Sequence, residues 1–255
     1  MNEKAAVFQS ILLSDAGIRN GFFTRRASDL KPGVNADAGA DEDSRNKGRV
    51  ELYLESLGAK TLALPVQVHG SGIWIVENGS ERSLIRGPLS DVAISRGRDI
   101  AVGVLTADCV PILLSAEDGS AVAAVHGGWR GLYAGVIGAA LRELCRVADT
   151  DVRGITAAIG PAIGQCCYEV GQDLADRFVE KYPWIEKFVR KAGSRTHLYL
   201  AGIANRLLID EGLAEEKIET LDCCTCCKAE LFHSYRRDKD DAGRQLSAIA
   251  PGMER

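Results

Sequence analysis

The segment Ser120-Ala121-Val122-Ala123-Ala124-Val125-His126-Gly127-Gly128-Trp129-Arg130-Gly131 runs from an apolar stretch through a histidine into a glycine-rich turn. Ser120 to Val125 reads as a compact strand ending at His126. Beyond the turn, Leu132, Val136, Ile137, Ala140, Leu141 and Leu144 recur at helical spacing, which predicts an amphipathic helix to about Val147. Working outward, Ile100 to Thr106 and Pro111 to Ser115 form an apolar pair interrupted by Ala107-Asp108-Cys109. Further upstream, Leu62 to Val68 and Gly72 to Val76 read as strands with His69-Gly70 in the turn between them. His69, Cys109 and His126 therefore all fall where strands end, the usual place for groups that converge on a cleft.

The rest of the chain frames these segments. Alternation up to Gly21-Phe22-Phe23-Thr24 predicts a strand or two, and the polar, Gly- and Asp-rich run from Ala27 to Asn46 reads as a long surface loop. Val50, Leu52, Leu54 and Leu57 predict a helix from Arg49 to Leu57, with Gly58 as its stop. A strand from Gly154 to Ile159, helices from about Gln172 to Lys181 and Leu198 to Glu211, and an irregular Cys- and Arg-rich segment complete the 255 residues. No repeat or linker divides them, so a single domain spanning 1–255 is expected. A net charge of -4 at pH 7 supplies no electrostatic reason for nucleic acid or an anionic membrane as partner. No apolar run reaches the roughly 18 residues a membrane helix needs, and Met1 to Ser10 lacks a secretory apolar core, so a cytoplasmic protein with reduced thiols is expected.

Two neutral imidazoles and one thiolate are a catalytic zinc pattern, three protein ligands with the fourth position left for water or substrate. Each of the three residues taken alone reads more readily as a core histidine or buried thiol, and the spacing of the three together leaves both readings open. With four histidines in the chain, two stand beside glycine in strand-end turns, where close backbone approach is possible.

Gln67-Val68-His69-Gly70, Ala107-Asp108-Cys109-Val110-Pro111, Val125 to Gly131, Ile159-Gly160-Pro161-Ala162-Ile163-Gly164 through Cys167-Tyr168-Glu169-Val170-Gly171, and Ser234-Tyr235-Arg236-Arg237-Asp238 together resemble the laccase-domain-containing family, also called the multicopper polyphenol oxidase family. The resemblance runs in order from about Gly21 to Ile249. It implies an α/β (α+β) fold, an α/β/β/α sandwich with mixed sheets similar to a bacterial toxin deamidase domain. It also implies zinc on His69, Cys109 and His126, and a purine nucleoside phosphorylase that cleaves adenosine, inosine and methylthioadenosine with phosphate and also deaminates adenosine. Small-molecule nucleosides and phosphate are then the partners, with a monomer or homodimer as the assembly. Copper is possible at one such site, but four histidines cannot build the blue and trinuclear centres of a laccase.

For phosphorolysis, arginines should orient an anion against the sugar, and Arg130, at the start of the helix after His126, is well placed. Arg25 and Arg236 are further candidates, and Asn35 matches an asparagine of the family motif. Asp108 either exchanges a proton with substrate or orients a ligand histidine, and with Cys109 and His126 it makes up the expected catalytic set. For deamination, a zinc-activated water is the natural nucleophile. The chain departs from the family near its start, where Arg26-Ala27-Ser28-Asp29 replaces a Gly-Gly and Ser-containing run and Asn20 stands for a histidine.

Two other functions compete. Bacterial members of the family are also described as peptidoglycan editing factors, and an amidase-type hydrolase of that kind would use Cys109 as nucleophile with His126 or His69 as base. A non-catalytic protein with structural zinc would need a fourth ligand from Cys223, Cys224 or His233. Cys223-Cys224-Thr225-Cys226-Cys227 invites a second metal site, but four thiolates within five residues cannot easily surround one ion, so a four-thiolate site is not expected there. Cys166 and Cys167 read as parts of a shaped loop.

Overall fold

The computed structural model describes residues 6–27, 40–77 and 83–252, with side chains of the second segment described from residue 48. Two six-stranded mixed sheets dominate. The first has the order β1 (Val7–Phe8), β2 (Arg19–Phe23), β15 (Gln245–Ala250), β7 (Ile100–Thr106), β3 (Thr61–Val66) and β5 (Ser83–Leu89). The second has the order β14 (Ile218–Thr220), β10 (Ile155–Ile159), β8 (Val110–Ala116), β9 (Val122–Gly127), β6 (Val92–Ser95) and β4 (Ile73–Val76). A small third sheet joins β11 (Glu169–Val170), β13 (Arg195–Leu198) and β12 (Val189–Ala192).

Side-chain alternation along the central strands explains the layering, because each strand sends every second residue to the opposite face. On β9, Val122 and Ala124 enter the layer between the sheets beside Phe22, Val102, Val104 and Ile249. Ala123 and Val125 face outward onto helix α4 (Val136–Ala148) and helix α6 (Leu200–Asp210). On the far side, Leu62, Leu64, Ala101, Leu246 and Ala248 meet Val50, Tyr53 and Leu54 of α2 (Ala40–Ser56) and Leu57 just beyond it. The order is helix, sheet, sheet, helix, the α/β/β/α sandwich that the family resemblance implies. Sheets covered on both faces explain why their strands are apolar runs rather than alternating patterns.

Several boundaries differ from the sequence reading. The helix expected from Arg49 begins at Ala40, so the polar loop is shorter than Ala27 to Asn46, and its buried face carries Tyr53 while Leu52 is exposed. The helix expected from Leu132 is two, α3 (Trp129–Ala134) and α4, because Gly135 sits at φ +90° between them. β5 and β6 carry no legible strand signal, and the segment expected to be irregular at the end of the chain carries β14 and β15. The remaining helices are α1 (Ile11–Asp15), α5 (Gln172–Lys181) and α7 (Tyr235–Asp238). Among the described residues, no helix is long and apolar enough to cross a membrane.

Candidate metal centre and active site

Three crossings between the two sheets meet at one end of the sandwich. The chain passes from β3 to β4 through His69, from β5 to β6 through Asp91, and from β7 to β8 through Asp108 and Cys109. The β8–β9 register completes the site: Pro111 pairs with His126 and Val110 with Gly127, which brings Cys109 to the end of β9. Continuing the alternation of β9, His126 lies on the inter-sheet side, at the mouth of that layer.

One candidate ligand atom from each of His69, Cys109 and His126 lies within 4.8 Å of the others, and among the described residues no fourth His, Cys, Asp or Glu joins this group. The two imidazole rings stand edge to face with centroids 4.7 Å apart, and Cys109 Sγ is 3.9 Å from His69 Nε2. A Cβ on Gly128 would come 2.8 Å from His69 Cδ2 and 3.4 Å from Cys109 Sγ, so only glycine lets the turn close over these side chains. His69 and Asp108 adopt left-handed backbone at φ 61° and 88°, two of the four non-glycine residues described that do so. Such conformations persist where surrounding contacts enforce them, and they gather at functional sites.

Asp91 is the enforcing group. It is completely buried, and its Oδ1 accepts from His126 Nδ1 at 2.7 Å and from the His69 amide at 2.9 Å. Its Oδ2 accepts from the Gly70 amide at 2.7 Å. One carboxylate thus shapes the turn that carries one imidazole and orients the ring of the other, leaving His126 Nε2 for an ion or substrate, as ligand histidines are normally held.

The charges follow this geometry. Burial pushes the Cys109 thiol up, but the facing His126 charge and hydrogen bonds from His126 and His69 outweigh it and draw the thiol down to about 6. Burial likewise disfavours charged His126, yet the Cys109 thiolate and the Asp91 carboxylate raise it to about 9. Asp91 is desolvated, but its hydrogen bonds to His126 and Gly70 hold it below the usual carboxylate range. Two nitrogens and a soft thiolate in an open group of three suit a transition-metal ion.

The other expected residues fall out unequally. Asp108 is buried, and its carboxylate accepts from Thr225 Oγ1 at 2.7 Å, Ser234 Oγ at 3.0 Å and the Arg236 amide at 2.6 Å. These three donors tie it to the Thr225 and Ser234–Arg236 segments. Arg236 stands over the Tyr168 ring at 5.3 Å and donates to the Cys167 carbonyl. Burial raises the Tyr168 phenol to about 12; the Cys109 and Asp108 charges add to that rise, and Arg236 and Arg130 oppose it, which puts these groups in one electrostatic neighbourhood. Arg130 is exposed and stacks on Trp129 at 4.5 Å. Arg25 is exposed on the turn after β2 and donates to the Ala229 carbonyl at 2.7 Å. Asn35 lies outside the described residues.

Three groups beside the site have no legible signal in the sequence. Asp91 is one of 35 acidic residues with no motif around it, so only the crossing from β5 to β6 reveals it. Arg244 lies in the segment expected to be irregular; it is half-buried, burial depresses it, and it faces the Cys109 and Asp108 charges. Tyr168 lay inside a quoted motif but had no assigned role. Asn20, which replaces the family's histidine, is buried and ties the N-terminal segment together by accepting from the Ser10 amide at 2.8 Å and donating to the Ile18 carbonyl.

An α/β/β/α sandwich with an open His-Cys-His group at the crossings between its sheets is the class of protein that fold and site define. Residues 20–251 match the family described as multi-copper polyphenol oxidoreductase laccase, and the chain belongs to that family. It is 33% identical over 217 residues to "Purine nucleoside phosphorylase YfiH" of Shigella flexneri, covering 85% of this chain and 84% of that protein. It is 30% identical over 197 residues to "Adenosine deaminase RL5" from an unknown prokaryotic organism, covering 74% of each. The solved structure of YlmD from Geobacillus stearothermophilus superimposes with a TM-score of 0.82 at 25% identity, over 99% of this chain and 98% of that one.

Proposed function

We propose that the chain is a zinc-dependent purine nucleoside phosphorylase that also deaminates adenosine, converting a nucleoside and phosphate to the free base and ribose-1-phosphate. The observation that supports it most is the convergence of His69, Cys109 and His126 under the single carboxylate of Asp91. The names of the relatives supply the substrate class. When bound to these three residues, the ion supplies Lewis-acid activation at the mouth of the inter-sheet layer.

The chain's own residues do the rest. Arg130, Arg236 and Arg244 bring positive charge to one side of the site and bind phosphate, with Arg236 held over Tyr168 and its backbone pinned to Asp108. Tyr168 stays a phenol at neutral pH and can donate a hydrogen bond to the sugar or the anion. Asp91 holds the His126 ring in one orientation throughout. The test is product analysis by chromatography with zinc-loaded protein, inosine or adenosine, and phosphate. Free base and ribose-1-phosphate are expected, with inosine as a further product from adenosine. Release of neither base nor inosine above a His126→Ala control would overturn the assignment.

One observation favours a second reading. Cys109 drawn to about 6 beside His126 raised to about 9, with Asp91 behind the imidazole, is also the layout of a thiol nucleophile with its base, as an amidase acting on a cell-wall precursor would need. Metal content separates the two. Stoichiometric zinc lost in Cys109→Ser supports ligation, whereas amide hydrolysis by metal-free protein supports the dyad.

A further inference from the structure

A second group of soft ligands stands outside the site described above. Cys166, Cys167, Cys224 and Cys227 place their four sulfurs within 4.8 Å of one another. The sequence alone predicts no such site, because four thiolates inside residues 223–227 cannot easily surround one ion. The tertiary structure instead draws two from that segment and two from the loop after β10. Cys223 is buried against Leu231 and Phe232, while Cys226 presents its carbonyl to Arg237 and its thiol meets Cys167 at the edge of the group.

The geometry suits one ion better than any other use of four thiols. Cys167 Sγ and Cys227 Sγ are 3.3 Å apart, and Cys166 Sγ and Cys227 Sγ 3.6 Å. A disulfide needs about 2.05 Å, whereas sulfurs at about 2.3 Å from a tetrahedral zinc stand roughly 3.8 Å from each other. Sulfurs gathered this closely are spaced to hold one metal ion and leave no room for inorganic sulfide between several.

The surroundings are also those of a metal knuckle. Cys224-Thr225-Cys226-Cys227 has the C-x-x-C spacing. The Gly164 amide donates to Cys224 Sγ at 3.2 Å, and the Cys227 amide donates to the same sulfur, which stabilises thiolate charge there. A Cβ on Gly164 would lie 3.0 Å from Cys224 Cβ and 3.2 Å from Cys166 Sγ, so the two loops approach this closely only over a glycine. Backbone bonds already run between them: the Ala162 amide donates to the Cys223 carbonyl and the Thr225 amide to the Ala162 carbonyl.

We propose that Cys166, Cys167, Cys224 and Cys227 form a structural tetrathiolate site for one zinc ion, separate from the His69-Cys109-His126 group and closed by four protein ligands. Binding replaces the thiol protons, which leave to solvent. The ion clips the 160–168 loop to the 222–228 loop. These loops deliver Tyr168 and the Cys167 carbonyl to Arg236 and the Thr225 hydroxyl to Asp108, so the clip sets the rim of the first site without touching substrate.

The experiment is metal analysis of the full chain, independent of any activity. Protein carrying His69→Ala, Cys109→Ser and His126→Ala together, purified under reducing conditions, is expected to retain one zinc per chain. Cys224→Ser with Cys227→Ser is expected to lose that ion and keep the other. Because the variants can misfold, wild-type protein is also alkylated before and after chelation, with peptide mapping: the four cysteines should be protected together and exposed together. Replacement by cobalt(II) should add the thiolate-to-metal charge-transfer absorption of a four-sulfur site. The proposal is overturned if the first-site variant is folded yet metal-free, if the four cysteines alkylate independently of chelator, or if mapping finds a disulfide among them.

Discussion

Asp91 joins two parts of the site that are far apart in sequence: the turn that carries His69 and the ring of His126. Asp91→Asn preserves its size but offers an amide where three backbone N–H groups, of Val68, His69 and Gly70, and an imidazole need an acceptor. Loss of such a supporting partner commonly costs about 10–100-fold in metal affinity or activity. The expected outcome is a fall of that order in zinc affinity, measured by chelator competition, with unchanged far-UV circular dichroism. Gly128→Ala should act by collision instead, pushing His69 aside through the 2.8 Å approach, and should lower zinc occupancy while leaving the thermal transition near that of the parent. In chelated protein, the charge pairing with His126 predicts that alkylation of Cys109 rises with pH around a midpoint near 6, because the thiolate is the reactive form. Iodoacetamide labelling with peptide mapping reads this directly, and a midpoint near that of an ordinary thiol contradicts it.

At the level of elements, the sandwich depends on strands buried on both faces and on helices that cover them. Leu144 of α4 is wholly buried against the outer face of the second sheet with Val125 and Ile155. Leu144→Ala leaves a cavity there and should destabilise the chain by about 2–5 kcal/mol, read from urea denaturation. Ile11 of α1, 70% exposed, provides the control: Ile11→Ala should change stability by no more than about 0.5 kcal/mol. The helical face of α4 was legible because six of its apolar residues repeat at a period that only a helix satisfies. The short strands β5, β6, β14 and β15 were not, since a three- to seven-residue run carries too few periods to separate a strand from a loop, and their identity comes from the partners they pair with. α2 shows an intermediate case, its existence readable but its face misplaced, because Tyr53 rather than Leu52 points inward.

Across the whole molecule, β15 is the most non-local element. It arrives last in the chain and inserts between β2 and β7 at the centre of the first sheet, with Leu246, Ala248, Ile249 and Ala250 fully buried. A chain truncated before Gln245 exposes two strand edges and both neighbouring apolar layers, and it should lose its cooperative thermal transition. A truncated protein that still melts cooperatively with native near-UV signals would show that the sheet closes without it.

The amino-acid sequence by itself determined the residue types of the first site and their positions at strand ends, because strand ends and glycine turns are local features. It also determined the family, through motifs kept in order along most of the chain. Only the tertiary structure decided which groups surround those residues: Asp91 behind the histidines, Asp108 committed to Thr225 and Ser234, and Arg244 facing Cys109. The same holds for the four clustered cysteines, which come from segments about sixty residues apart. The physical reason is that a metal or hydrogen-bond partner is selected by distance in space, whereas a sequence pattern reports only what repeats along the chain.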